Sequence, residues 1–305
     1  MLFLLLVIIK SAASLICYQC DSANVPSRLV RPGEIELPFV VTKDNIPTLE
    51  NCTEISVEES SHHCWLMVSW DFTETRTRIQ SDLSRGDFSN EVIVQLTRID
   101  ENEPASVVGY FCSTDYCNDP SKLELLIKSN DFEIDRDQIV SLLTGHETSF
   151  NATQSCYKNI NYTSPLRIFD VTCGVSNSSY ASTSCTTLMM TNASTTEMCS
   201  GPTYWRSDYT FQIVTLYYIV NLTSSKEQYT YAICSNKTDC NGLDNIQEMS
   251  KFCIQKFDLT QFFGIVTTTS PSEVTTTVSI GNFLFPFARY FLLLLDFMLI
   301  IFIQK

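Results

Sequence analysis

The amino-acid sequence predicts a small disulfide-rich all-β fold that is built twice in tandem. Three observations support this: 13 cysteines in 305 residues, a repeated spacing of those cysteines, and stretches in which apolar and polar residues alternate. Alternation with a period of two is typical of half-buried β-strands. A chain of this length also favours about two domains.

The repeat is defined by cysteines that recur at a nearly constant distance. The offset grows only from 121 residues, between Cys52 and Cys173, to 123 residues, between Cys117 and Cys240. Cys64 with Cys185 and Cys112 with Cys234 follow the same spacing. Such self-similarity indicates a duplicated unit. The opening cysteines, Cys17 and Cys156, are 139 residues apart, so the first loop of the second unit is about 18 residues shorter.

Strands are expected in both units. From Cys64 to Phe72 apolar residues alternate with other residues, and residues 91–97 alternate in the same way. Residues 106–111 and 228–233 end at equivalent cysteines, and residues 209–220 are rich in aromatic and β-branched side chains. Polar turns separate these stretches.

The first 14 residues are expected to be a cleaved leader. Residues 2–9 are apolar, too short to span a bilayer, and the small residues 11–14 follow. Secretion would place the cysteines in an oxidising compartment, where they pair as disulfides. A net charge of −14 opposes binding to nucleic acid.

Glycosylation sequons agree with secretion. The chain contains Asn-x-Ser/Thr at seven positions, which are Asn51, Asn151, Asn161, Asn177, Asn192, Asn221 and Asn236. Only Asn51 lies in the first unit, so we expect the second unit to be a glycan-covered spacer and the first to bind a partner.

The C-terminal part predicts a stalk and an anchor. Residues 267–279 are rich in threonine and serine, a composition typical of an O-glycosylated stalk. Residues 283–303 are apolar apart from Arg289, Asp296 and a few weakly polar residues. A GPI-attachment signal at Ser279 is favoured over a transmembrane helix, because the two charges would be costly inside a bilayer.

These features resemble the lymphocyte-antigen-six and urokinase-receptor (LU) family. The residues concerned are the opening Leu15-Ile16-Cys17-Tyr18-Gln19-Cys20 and the closing cysteine loops followed by Asn118 and Asn241. The resemblance implies two three-finger domains, in which β-rich loops project from a disulfide-knotted base. The predicted segments are a leader at 1–14, the first domain at 15–120, a solvated linker at 121–150 with two short helices, the second domain at 151–242, a stalk at 243–280 and an anchor signal at 281–305.

The resemblance also implies disulfide pairings. These are Cys17–Cys64, Cys20–Cys52 and Cys112–Cys117 in the first domain, and Cys156–Cys185, Cys173–Cys199 and Cys234–Cys240 in the second. Sequence alone leaves fifteen pairings per domain open. Cys253 is left over, and as a stalk cysteine it would either be free or capped, or link two chains as a disulfide dimer.

Catalytic and metal chemistry have little support. His62, His63 and His146 lie in no nucleophile or metalloprotease motif, and we expect no enzyme activity and no cofactor. A zinc site at Cys17 and Cys20 would need a reducing compartment.

Candidate partner contacts lie in the first domain. Trp65, Met67 and a loop that carries Arg76 and Arg78 could form a contact patch, although packing of Trp65 against a neighbouring finger is the stronger expectation. Arg85-Gly86-Asp87 matches a tripeptide that many integrins bind, but Gly86 is more simply a turn residue.

By resemblance, the expected function is binding at the extracellular face of the plasma membrane. The partner would be another membrane receptor, a channel or an adhesion protein. The alternative is a secreted or transmembrane ligand-binding co-receptor or decoy.

Overall fold

The structure is a computed structural model that describes residues 14–20, 32–57, 62–85, 91–100, 105–151, 155–161, 184–203, 209–220 and 223–263. It is mostly β-sheet and contains several disulfides, as the sequence predicts. The described strands are β1 Leu15–Cys20, β2 Glu34–Leu37, β3 Cys52–Val57, β4 His62–Asp71, β5 Arg76–Arg85, β6 Glu91–Asp100, β7 Ala105–Cys112, β8 Asn130–Ile134, β9 Asn159–Asn161, β10 Ser184–Thr191, β11 Thr196–Thr203, β12 Thr210–Val220, β13 Thr223–Cys234 and β14 Cys253–Phe257. The described helices are α1 Lys122–Lys128, α2 Arg136–Leu143, α3 Leu243–Lys251 and α4 Leu259–Phe263.

The alternating stretches form strands where the sequence predicts them. In β4 the residues Leu66, Val68 and Trp70 are buried in one cluster, whereas Met67 belongs to a different cluster. Successive side chains of a strand point to opposite faces of a sheet, which separates the two sets. Both faces of β4 are therefore packed.

Ten of the described strands form one continuous sheet in the order β2-β5-β4-β7-β6-β12-β13-β10-β11-β9. The order β5-β4-β7-β6 of the first half has its counterpart in β11-β10-β13-β12 of the second half. We call residues 14–143 the first repeat and residues 155–263 the second repeat. The repeats join where β6 pairs antiparallel with β12 along ten residue pairs, from Thr210–Asp100 to Ile219–Glu91.

Residues 121–143 are packed against the sheet, so the expectation of a solvated linker is wrong for this part. The two short helices that the sequence predicts are present as α1 and α2. Leu123 and Leu126 of α1 and Ile139 and Leu143 of α2 are almost fully buried. Their spacing of three or four residues places them on one helix face, while the acidic residues between them face outward.

The segment after the second closing asparagine repeats this arrangement, so the expected stalk begins later than residue 243. Helix α3, strand β14 and helix α4 follow Asn241 as α1, β8 and α2 follow Asn118. Asp135 accepts a hydrogen bond from the backbone of Gln138, and Asp258, 123 residues later, accepts one from Gln261. Strands β8 and β14 also pair with each other. The duplicated unit is therefore longer than the cysteine pattern indicates.

Five disulfides are present among the described residues, and all of them match pairings that the resemblance implies. They are Cys17–Cys64, Cys20–Cys52, Cys112–Cys117, Cys156–Cys185 and Cys234–Cys240. Cys199 is also disulfide-bonded, and its expected partner Cys173 lies outside the described residues.

Candidate functional site

The closing asparagines hold the disulfide-bearing end, or base, of each repeat. Asn118 is fully buried, and its side chain accepts a hydrogen bond from the backbone N–H of Tyr18 at 2.9 Å and donates to the carbonyl of Tyr18 at 2.7 Å. It also donates to the carbonyl of Trp65 at 3.2 Å. The amide thus ties the first strand to β4. Every polar atom of a buried amide needs such a partner, because leaving one unpaired is costly.

Asn241 makes the same contacts in the second repeat. It accepts from the N–H of Tyr157 at 2.9 Å and donates to the carbonyls of Tyr157 at 2.9 Å and Thr186 at 3.0 Å. Tyr18 and Tyr157 each follow the opening cysteine, and Trp65 and Thr186 each follow the first cysteine of the central hairpin. The bases of the two repeats therefore have the same hydrogen-bond arrangement.

The sheet has two different faces. The face that carries Leu66 and Ile213 packs against the helices, because the two clusters that contain these residues also contain the buried residues of α1, α2, α3 and α4. We call the other face the Trp65 face. Its apolar cluster, within the described part of the chain, consists of strand residues only, from both repeats: Met67, Val92, Val94, Leu96, Val107, Phe111, Leu188, Val214, Leu216, Tyr229, Tyr231 and Ile233.

Trp65 packs within its own repeat, against the neighbouring strand β7. It pairs in register with Phe111, and the two rings stack at 6.2 Å with an interplanar angle of 19°. The side chain is half-buried, and its indole Nε1 has no hydrogen-bond partner in the residues that the structure describes. Trp65 therefore stabilises β4 against β7.

Arg76 and Arg78 lie on the Trp65 face, but acidic neighbours hold both of them. They belong to β5 rather than to a loop. Arg76 contacts Glu36 at 2.6 Å and Glu74 at 3.1 Å, and the hydrogen bond that it donates to Glu36 raises the pKa of its guanidinium. Arg78 contacts Glu34 and Glu36 at 3.8 and 3.4 Å, and only 14% of its side chain is exposed. Arg78 therefore forms a structural ion pair with these glutamates. The charges of the expected arginine patch are neutralised by acidic neighbours.

The tripeptide at residues 85–87 is described only at its first position. Arg85 is the last residue of β5 and is exposed. Gly86 and Asp87 lie outside the described residues, so integrin binding stays a prediction.

The described sequons are at strand ends and turns. Asn51, Asn151 and Asn236 are exposed, and Asn192 lies in the turn between β10 and β11. Asn161 ends β9. Asn177 and Asn221, together with the predicted anchor site Ser279 and the leader, lie outside the described residues.

A buried polar network at the joint of the repeats was not predicted. Gln95 donates to the side chain of Asn130 at 2.6 Å and to the carbonyl of Lys256 at 2.9 Å. Gln255 donates to Thr97 at 2.8 Å and accepts from Thr215 at 3.0 Å. The network connects β6, β8, β12 and β14. The sequence contains no signal for this network, because a polar residue in an alternating strand is predicted to face solvent.

Cys253 is a buried residue of β14 and not a stalk cysteine. It is the free cysteine of the described region and only 4% exposed. Burial raises the pKa of its thiol to about 12. A thiol in this position is out of reach of a second chain, so the structure offers no support for a dimer bridged by Cys253.

The sulfur atoms of Cys185, Cys234 and Cys240 lie close together, within 4.8 Å of one another. All three form disulfides, and a disulfide sulfur is not the thiolate that binds zinc. Cys17 and Cys20 are also bridged to other cysteines. These clusters are therefore structural.

No family model, curated protein or solved structure matches this chain. Within the described residues, none of the helices has the length and apolar character that crossing a membrane requires.

Proposed function

We propose that this protein is a GPI-anchored glycoprotein of the extracellular face of the plasma membrane, and that it binds another membrane receptor, a channel or an adhesion partner. Each repeat would be a three-finger module. The observation that carries the proposal is the repeated asparagine clamp. Asn118 and Asn241 hold equivalent backbone groups beside equivalent disulfides, as the resemblance implies for the base of a three-finger domain.

The chemistry of the described residues supports a binding role. Disulfides fix each base covalently, and a chain closed in this way tolerates varied loops at its other end. The arginines of the predicted patch are held by Glu34, Glu36 and Glu74. Binding is therefore expected to depend on shape and exposed side chains at the hairpin ends rather than on a strong positive charge.

The anchor can be tested on cells that express the full chain. Phosphatidylinositol-specific phospholipase C should release the protein into the medium. Retention on the cells after treatment would favour a membrane-spanning tail. Protein found in the medium before treatment would favour the secreted decoy.

The binding role can be tested by proximity labelling on intact cells. A biotin ligase placed directly after the leader of the full chain should label a defined set of surface proteins. The control is the same ligase on the same predicted anchor segment, without residues 15–263. Identical labelling by the two proteins would contradict a specific partner.

A further inference from the structure

Two glutamines at the joint of the repeats have apolar counterparts in the other repeat. The first is Gln95 of β6. Val92 and Thr210 are equivalent, because each pairs with the residue before the first cysteine of its closing loop. Three residues further along each strand, Gln95 of the first repeat corresponds to Ile213 of the second. The joint therefore has an amide on one side where its two-fold mate carries a hydrocarbon side chain.

The second glutamine is Gln255 of β14, which lies close to the approximate two-fold axis. In the β8–β14 pair it faces Phe132. Phe132 follows Asn118 by 14 residues, and Gln255 follows Asn241 by 14 residues, so the two residues are equivalent. An aromatic ring and an amide thus face each other at one shared position, and the joint is symmetric in its backbone but not in its side chains.

The side chain of Gln95 uses all its polar atoms, and two of its three hydrogen bonds reach the second repeat. Nε2 donates to the carbonyl of Lys256 at 2.9 Å, and also to Oδ1 of Asn130 in its own repeat at 2.6 Å. Oε1 accepts a hydrogen bond from the hydroxyl of Tyr217 at 3.3 Å. Gln95 is 2% exposed and Tyr217 is 7% exposed, so these groups are shielded from water.

Gln255 joins two equivalent hydroxyl groups. Its Nε2 donates to Thr97 of the first repeat at 2.8 Å, and its Oε1 accepts from Thr215 of the second at 3.0 Å. Thr97 and Thr215 lie five residues beyond Val92 and Thr210, and both are almost fully buried. One amide can be the donor to one threonine and the acceptor from the other, and the ring of Phe132 can be neither.

Pairing of like repeats would break this network. Two first repeats would have Ile99, the counterpart of Tyr217, at the place of that tyrosine, so Oε1 of Gln95 would have no donor. Two second repeats would have Ile213 at the place of Gln95, so the buried hydroxyl of Tyr217 would have no acceptor. A buried polar group that loses its partner is costly, whereas apolar contacts tolerate an exchange of similar side chains.

We propose that this network makes the joint selective for unlike repeats. The β6 edge of the first repeat accepts the β12 edge of a second repeat and does not accept the first repeat of another copy of the chain. Single buried polar residues set partner choice in this way in coiled coils, because wrong partners leave them unsatisfied. Copies at high local concentration therefore do not join through like repeats. This selectivity is independent of the proposed anchor and binding role.

Selectivity can be measured on the full chain after it is cut between the repeats. A protease site is inserted between the exposed residues Thr148 and Ser149, and separate batches carry a donor or an acceptor dye at the exposed position Glu124 of the first repeat. The batches are cleaved, mixed in urea without reductant and diluted together. We expect no energy transfer between first repeats. A donor at Glu124 and an acceptor at the equivalent exposed position Gln247 of the second repeat should give transfer.

Two outcomes of the wild-type experiment would overturn the proposal. Transfer between first repeats as strong as transfer between unlike repeats would show that the joint does not discriminate. Absence of transfer in both mixtures would show that the joint selects no partner at all.

Substitutions test whether the network is the cause. Gln95→Ile removes the unsatisfied amide from a pair of first repeats and should raise the transfer between them several-fold. Tyr217→Phe should do the same for second repeats labelled at Gln247, and because it deletes one oxygen atom it decides the test if Gln95→Ile does not refold. Leu96→Ala, on the other face of β6, is the control and should leave the selectivity unchanged. No rise in either network variant, or an equal rise in the control, would contradict the proposal.

Discussion

Leu96 of the first repeat faces Val214 of the second across the β6–β12 pair, and the two residues are equivalent. Cys112 and Cys234 are equivalent, so the residues before them, Phe111 and Ile233, are equivalent too. Phe111 pairs with Val92 and Ile233 pairs with Thr210, so Val92 corresponds to Thr210. Four residues further along each strand, Leu96 corresponds to Val214. Equivalent residues that face each other across antiparallel strands mark a two-fold axis. The joint therefore resembles a symmetric dimer interface within one chain.

A second pair of residues lies on the same approximate axis. Phe132 of β8 faces Gln255 of β14, and these residues are 123 positions apart, as are Asn118 and Asn241. Edge strands that find no partner are prone to pair with other chains. In this protein each repeat covers one edge of the other, at β6 and β12, while β2 and β9 form the outer edges of the sheet. The repeats are therefore expected to behave as one body.

Truncation of Leu96 should destabilise both repeats together. Leu96 is 8% exposed, and replacing a buried leucine by alanine costs about 2–3 kcal/mol. We expect Leu96→Ala to shift one cooperative urea transition to lower concentration. The exposed Val220→Ala serves as control and should change the free energy of unfolding by less than about 0.5 kcal/mol. Two separate transitions in the wild-type protein would contradict a single body.

Cutting the connection between the repeats should leave them associated. Thr148 and Ser149 are exposed. Each of the five disulfides whose two cysteines both lie in the described residues joins cysteines of the same repeat. A protease site inserted between these two residues of the full chain should be cleaved without separating the halves in size-exclusion chromatography, whereas denaturant should separate them. Separate elution in native buffer would show that the joint is weak.

Loss of the asparagine clamp should be costly in both repeats. Asn118→Leu leaves the N–H of Tyr18 without its partner, whereas the carbonyl of Tyr18 keeps the hydrogen bond from the Ser81 hydroxyl. An unpaired buried polar group costs about 1–3 kcal/mol. Asn241→Leu should have a similar effect through Tyr157. Chemical denaturation measures both, with the exposed helix substitution Gln247→Ala as control. A neutral result for either variant would argue against the clamp.

The disulfides should differ in their contribution according to the length of chain that they close. Cys17–Cys64 closes 47 residues, and Cys112–Cys117 closes 5. A chain-entropy estimate gives about 4 kcal/mol for the first and about 2 kcal/mol for the second. Paired alanine substitutions, compared by denaturant midpoint, should rank in that order. The reverse order would mean that packing around the bridges outweighs chain entropy.

Alkaline pH should destabilise the protein through its buried acids. Burial raises the pKa of the Cys253 thiol to about 12 from 9.0, and of Tyr231 to about 12 from 10.0. The folded state then binds more protons than the unfolded state, so stability is lost as the pH rises from about 9 to about 12. Denaturant midpoints at pH 7, 9 and 10.5 measure this, and Cys253→Ala with Tyr231→Phe should flatten the dependence. An unchanged slope in that variant would contradict the assignment.

Alkylation tests the burial of Cys253 directly. At pH 8 the native thiol should react with iodoacetamide on the order of a thousandfold more slowly than in denaturant, because little thiolate forms. Mass spectrometry of the intact, non-reduced protein counts the modified cysteines. Fast modification of the native protein would show that this strand opens readily.

The sequence by itself determined strands β4, β6, β7, β12 and β13, the duplication and the chemistry of the bridges, because these depend on local alternation and on the spacing of cysteines. The helices that flank β8 were also visible, although their burial was not. Only the tertiary structure decided that β6 pairs with β12, that residues 243–263 belong to the folded body and that Gln95, Thr97, Thr215 and Gln255 meet. Strand partners and buried polar contacts join residues up to 161 positions apart, and no local pattern encodes which edge will meet which.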